Sequence, residues 1–190
     1  MEKTYIEDKD FDQADFTEII FEKGDYENCN FTNCNLANLD LSKISFTECK
    51  FTGCNISLAK LTRTAFKDCT FKDCKLLGLH FEDCHELFFT VEFNNCLLNL
   101  SSFYKRKLKK IIFKDCCLHE VDFTQTDLSN ALFDNCDLAR AIFDNTILEK
   151  ADLRTSYNYS IDPETNRIKK ASFSLTGIAG LLDKYDIEIE

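Results

Sequence analysis

Every fifth residue of this chain is large and apolar. From Ile6 through Phe11, Phe16, Phe21, Tyr26 and Phe31 to Phe81, sixteen consecutive positions keep that spacing. After a slip of two residues in "DCHELFF" the beat resumes at Phe88 and runs through Phe93, Leu98 and Phe103 to Leu153, then returns in phase at Ile168, Phe173 and Ile178. A period of five suits neither regular element. In a helix successive beats lie roughly 140° apart, and in a strand they alternate between faces. One interior for all of them requires the chain to turn a corner every five residues and wind around an axis. A second period sets the size of the coil: Cys29, Cys49 and Cys69 are twenty apart, as are Phe93, Phe113 and Phe133. Four corners therefore make one coil, and coils stacked at about 4.8 Å place like residues in ladders.

The five-residue units read small, polar, Phe or Leu, polar, polar, as in "CNFTN", "CNLAN", "CKFTG" and "CTFKD". They resemble the pentapeptide repeat family over residues 4–153 and again from Ala171. The resemblance implies an all-β fold, a right-handed quadrilateral β-helix with the central Leu or Phe and the residue two before it pointing inward. About eight coils are expected, in a single domain spanning 1–190. Repeats fill 4–153 with an interruption near 83–87. A loop excursion is expected over 154–170, around the only proline, Pro163 in "DPETN", and the last repeat and a cap over 171–190.

Ten of the eleven cysteines hold the inward place two before a beat, where Ala59, Ala131, Val121, Thr64 and Thr126 also stand. Cysteine there is a small hydrophobe with a weak S–H donor. A zinc site needs four converging ligands, whereas these thiols are dispersed along ladders without a CxxC pair. No metal or other cofactor is expected. No export signal precedes the repeats and no run of eighteen apolar residues occurs, so the expectation is a cytoplasmic protein with no membrane association and with reduced thiols. Cys117 takes an outward place. Arg106 takes an inward one, which predicts a bulge there.

Near the C-terminus the rhythm changes. Ile178, Leu181, Leu182 and Tyr185 follow helical spacing, and Ile187 and Ile189 then alternate with acids, which predicts a short helix followed by a short strand. "AGLLDKYDIEI" resembles the C-terminal helix and strand of the quinolone-resistance Qnr proteins. The resemblance implies a homodimer through this cap, with DNA gyrase or topoisomerase IV as partner. Qnr proteins also carry projecting mid-rod loops, where this chain has only the two-residue slip.

Charge varies along the sequence: residues 1–28 are acidic, 43–114 basic and 115–190 acidic, within a net −10. Family members that bind gyrase are thought to mimic duplex DNA with a negative face. Asp122, Asp127, Asp134, Asp137, Asp144, Glu149 and Asp152 are candidates for such a face, and the plainer alternative is ordinary solubility from outward carboxylates. In "YKRKLKKIIFK", Lys105, Arg106, Lys107, Lys109, Lys110 and Lys114 make a basic patch beside Tyr104. It reads either as a phosphate contact or as a solvated face, and with no nucleic-acid motif and an acidic chain, direct nucleic-acid binding is not expected. His80, His85 and His119 have no nucleophile in register, and no phosphate-cradling glycine loop exists, so the expectation is a non-enzymatic interaction module. The rival reading is a purely architectural scaffold.

Overall fold

The computed structural model describes residues 4–188. The five-residue period becomes a corner because the residue two after nearly every beat adopts a left-handed backbone, with φ near +50 to +65° at Asn28, Asn33, Asn38, Lys43 and most of their successors. Such φ values suit Gly, Asn and Asp, and Gly53 at φ 66° occupies one of these corners. A Cβ at Gly53 would also strike the Asn33 side chain in the coil below.

Each corner repeats the same hydrogen bonds. The left-handed residue donates its N–H to the next coil, as Asn33 to the Thr52 carbonyl at 2.8 Å, and the beat residue does likewise, as Leu36 to Asn55 at 2.7 Å. The residue before the beat donates back to the preceding coil, as Asn55 to Cys34 at 2.9 Å. All pairings between coils are parallel. Backbone groups that a tight corner would orphan are thus paired coil to coil.

Four faces result, taken in chain order. The first carries Thr4–Glu7, Gly24–Glu27 and Ser45–Thr47, in the register Ile6↔Tyr26↔Phe46↔Phe66. The second carries Asp10–Asp12, Asn30–Thr32, Lys50–Thr52, Ile112–Lys114 and Leu132–Asp134. The third is a ladder of single bridges from Asp15 through Asn35, Asn55, Lys75, Leu97, Cys117 and Asp137 to Tyr157, eight rungs enclosing seven turns, against about eight coils expected. The fourth runs from Asp40 to Lys60 and again through His80, Ser102, Asp122 and Ile142.

Phenylalanines stack where the twenty-residue period predicts. On the second face Phe31 and Phe51 have ring centroids 4.8 Å apart at 7°, and the column continues through Phe71 and Phe93 to Phe133. On the fourth, Phe81, Phe103, Phe123 and Phe143 do the same. Offset stacks at this distance add to the burial of each ring.

Three expectations need correction. The beat does not resume at Phe88, which is 48% exposed; Phe89 pairs with Phe66 instead, with a register shift before Cys69↔Val91. No bulge occurs at Arg106, since Lys105 keeps its corner at φ 58° and Lys107 keeps its bridge to Asp127. Over 154–170 most of the coil persists: Tyr157 bridges Asp137, Arg167 bridges Ile147, and Ser156, Ile161 and Asn166 fill inward places. The departure shrinks to one corner around the Pro163 turn, where Asn158 yields its inward place and Tyr159 is buried.

Candidate functional site

The inward place two before each beat does more than fill space. Cys54 Sγ lies 3.2 Å from the Phe31 carbonyl, Cys74 Sγ 3.3 Å from that of Phe51, and Cys136 Sγ 3.4 Å from that of Phe113. Where the residue is Thr, Ser or Asn the same carbonyl position accepts a stronger bond: Thr64 to Leu41, Thr126 to Phe103 and Ser156 to Phe133, each at 2.8 Å, and Asn166 Nδ2 to Phe143 at 3.0 Å. The thiols thus serve as donors to buried carbonyls of the coil below, and burial pushes the thiols of Cys29, Cys34, Cys69 and Cys84 above their ordinary pKa. Ten of the cysteines are buried and Cys117 is half-exposed.

The residue before the beat also has a local task. Its side-chain oxygen accepts the N–H two residues on: Asp122 from Thr124 at 2.8 Å, Asp127 from Ser129 at 3.1 Å, Asp137 from Ala139 at 3.2 Å and Asp152 from Arg154 at 3.1 Å. Asn35 and Asn55 do the same, so this is an Asx-type cap of the turn that charge does not require. Sequence reasoning read these aspartates as surface charge and missed the cap. Its signal was present as the run of Asp, Asn and Ser one residue before the beat.

The seven candidate acids do not share a face. Asp122 and Asp144 lie on the fourth, Asp127 and Glu149 on the first, Asp134 and Asp152 on the second, and Asp137 on the third, as their separate ladders require. Several are already paired: Asp127 with Lys109 at 3.4 Å, Asp137 with His119 at 2.8 Å, Asp152 with Arg154 at 2.7 Å and Glu149 with Arg167 at 2.6 Å. One acidic strip does form, on the C-terminal half of the fourth face. Glu82, Asp83, Asp122, Asp144, Asp162 and Glu164 stand there with Lys105 among them, Glu82 in contact with His80 at 3.0 Å and the last two held by Lys184. Four of these six were not candidates, because the strip appears only when the chain is folded into twenty-residue turns.

The basic patch also separates. Lys107, Lys109 and Lys110 are exposed on the first face, Lys105 on the fourth and Lys114 on the second. Arg106 leaves the patch altogether. It is buried, its Nη1 and Nη2 donate to the Cys84 and His85 carbonyls at 3.1 and 3.2 Å, and its guanidinium lies 4.6 Å from the Phe89 ring centre. Burial lowers its pKa. The side chain plugs the gap opened by the two inserted residues one coil below.

At the C-terminus the expected helix is realised as two 3-10 turns, Ile178–Leu181 and Asp183–Tyr185, and no strand forms over 186–188; Ile189 lies outside the described residues. Leu181 packs on the core and Leu182 is half-buried, while Ile178, Tyr185 and Ile187 are exposed. Gly180 seats the cap by lying against the Tyr159 backbone and accepting from Ile161 N at 2.8 Å. Lys184 ties it to Asp162 and Glu164 at 2.7 and 2.6 Å. No helix among the described residues is long and apolar enough to cross a membrane.

Comparison with known proteins places this architecture. A trypsin-treated form of QnrB1, a plasmid-mediated fluoroquinolone resistance protein, is similar at 18% identity and TM-score 0.55, covering 98% of this chain and all of that one. Full-length QnrB1 gives 21% identity and TM-score 0.45 over 97% of this chain and all of that one. HetL, a pentapeptide repeat protein involved in heterocyst differentiation regulation from the cyanobacterium Nostoc, gives 13% and 0.49 over 93% and 90%. No curated protein sequence matches the chain. The family profile described as pentapeptide repeat region matches residues 24–85 and 87–157, on either side of the slip. With most of its length matched and its coils built from five-residue corners, the chain belongs to the pentapeptide repeat family.

Proposed function

We propose that this protein is a non-enzymatic interaction rod whose acidic strip on the fourth face engages a cationic groove of a bacterial type II topoisomerase, DNA gyrase or topoisomerase IV. The observation that carries the reading is the strip itself. Glu82, Asp83, Asp122, Asp144, Asp162 and Glu164 recur along one side of the rod, with Lys105 between them, His80 beside Glu82 and Lys184 on the Asp162 and Glu164 end. Charges repeated at the coil spacing present a cationic groove with a row of anions, as a duplex backbone does, and the attraction falls with salt. The fold likeness to a fluoroquinolone resistance protein makes topoisomerase the first partner to test. The exposed Ile178, Tyr185 and Ile187 favour a homodimer through the C-terminal cap, a contact that truncation after Leu175 would remove, read as monomer by light scattering at high salt.

A second reading, a purely architectural scaffold, is favoured by a different observation: most candidate carboxylates already cap turns or pair with neighbours within the rod. A pull-down and supercoiling assay with purified gyrase and topoisomerase IV, with and without a quinolone, at low and physiological salt, separates the two. Under the topoisomerase reading, reversal of Asp122 and Asp144 weakens the complex more than neutralising Lys107, Lys109 and Lys110. Absence of binding and of any effect on supercoiling or drug inhibition, even at low salt, leaves the scaffold.

A further inference from the structure

The first face changes sign halfway along. Its outward side chains before the slip are Glu7, Asp8, Asp25, Glu27, Glu48 and Asp68 against Lys67, a net of −5. Beyond it come Lys107, Lys109 and Lys110 in one coil, Lys150 two coils on, and Arg167, Lys169 and Lys170 in the next, against Asp127 and Glu149, a net of +5. Between the halves the slip itself lies on this face, because Phe66 N donates to the Phe88 carbonyl at 3.0 Å and His85 N to that of Thr64 at 2.8 Å. It presents Leu87, 79% exposed, and Phe88, 48% exposed, with the His85 ring 4.8 Å from that of Phe88. Arg106 fixes this segment from the next coil through its two carbonyl bonds.

We propose that the first face is a self-complementary surface on which a second copy of this chain packs antiparallel, with a two-fold axis through Leu87 and Phe88. An isologous contact requires one surface to complement itself after a half-turn. Here the half-turn lays the acidic half of each rod on the basic half of the other and buries the exposed apolar pair against its own copy. Four coils separate Leu87 from Glu7 on one side and from Arg167 on the other, so Glu7 and Asp8 meet Arg167, Lys169 and Lys170 at each end of the contact. An apolar centre with a charged periphery is the arrangement of specific interfaces, and opposite fields both speed the encounter and set the register. This contact leaves the fourth face and the C-terminal cap open, so it stands or falls independently of the topoisomerase reading.

Sedimentation velocity on the full chain tests it. A dimer is expected at low salt and dissociation at high salt. Glu7→Lys with Asp8→Lys weakens it at least ~10-fold, as does Lys169→Glu with Lys170→Glu, and all four together recover it, since the swapped charges again oppose each other. Leu87→Ser weakens it without altering the fold, because the side chain is exposed in the single rod. Under mild air oxidation Leu87→Cys cross-links to its own copy, which only an axis near this residue allows, with the unsubstituted chain as the control for Cys117. A monomer at low salt overturns the proposal, as does a four-fold variant that fails to recover while its melting curve shows it folded. A dimer indifferent to these changes but lost on truncation after Leu175 belongs to the cap instead; cap and first-face contacts together give larger assemblies that this truncation reduces to a dimer, and assemblies beyond a dimer in the truncated chain refute the two-fold arrangement.

Discussion

Where the side chain two before a beat is Cys, Ser or Thr it combines small volume with a hydrogen to donate to the coil below. That pair explains why Cys, Ser and Thr recur there, while Ile44, Leu79 and Ile111 show that other coils admit a larger, purely apolar side chain at the same place. Cys54→Ser should therefore lie within about 1 kcal/mol of the parent in denaturant unfolding, since Thr64 and Ser156 make the same bond with hydroxyls. Cys54→Leu should cost about 1–3 kcal/mol through overpacking, and equal effects of the two changes would refute the double constraint. Thiol titration should find Cys117 first and the remaining cysteines only on unfolding, because burial shields the others and also pushes the thiols of Cys29 and Cys84 up. The capping aspartates carry a pH dependence. At Asp127 and Asp137 burial acts to raise the pKa, but bonds from Ser129 and Lys109, and from His119, Asn158 and Ala139, outweigh it. At Asp152 the Arg154 side chain is the main cause of a lowered value. A depressed folded-state pKa means that the unfolded chain binds protons first as pH falls. The contribution is complete above the unfolded pKa, about 3.9, and is lost as pH drops from there through the folded value. Melting temperature should thus decline below about pH 4, and Asp127→Asn, which keeps an acceptor as Asn35 and Asn55 do, should flatten the decline.

Two elements interrupt the coil, and each is closed by a residue from a neighbouring turn. At the slip, Arg106 occupies a place held by Thr126 and Thr146 in the following coils and spends its guanidinium on carbonyls that the insertion leaves without ladder partners. Arg106→Thr restores the regular residue yet should destabilise the protein by about 1–3 kcal/mol, because two buried acceptors lose their donors. Faster amide exchange confined to residues 84–90 would locate the effect, and unchanged exchange there would show that the segment holds itself. At the C-terminus the cap depends on a close approach rather than on helical propensity. Two 3-10 turns replace the expected helix because so short a segment gains little from helix formation on its own and instead follows the end of the last coil. Gly180→Ala places a methyl against the Tyr159 backbone, so the cap should lift, read as earlier proteolysis after Lys184 with the coil melting transition preserved.

At the level of the whole molecule the rod is a set of four independent surfaces sharing one core, which is why charge counted along the sequence misleads. Residues 115–190 are acidic in sum, yet the first face stays basic to Lys170 while the fourth carries the acidic strip. Neutral substitutions at Asp134 or Asp152 on the second face should leave any contact made by the fourth face unchanged, measured by the same pull-down that detects loss at Asp122 and Asp144. The coil, its corner every five residues, its stacked phenylalanines and its buried cysteines were all readable from the order of residues, because these follow from local spacing repeated over many turns and each repeat reinforces the others. The irregular places were not. Arg106, Ser156 and Asn166 take their roles from carbonyls supplied by residues about twenty positions away, and Phe89 from its pairing with Phe66, at turns where the repeat is broken and the spacing no longer says which side chain faces which. The surfaces were not readable either, since membership of a face is decided by the stacking register. A two-residue slip at 84–88 turns the sequence numbering after it against the numbering before it. The sequence by itself determined that this chain winds into a four-sided rod. Only the tertiary structure decided which charges stand side by side upon it, because electrostatic partners are set by distance in space and the period of the coil is what brings them together.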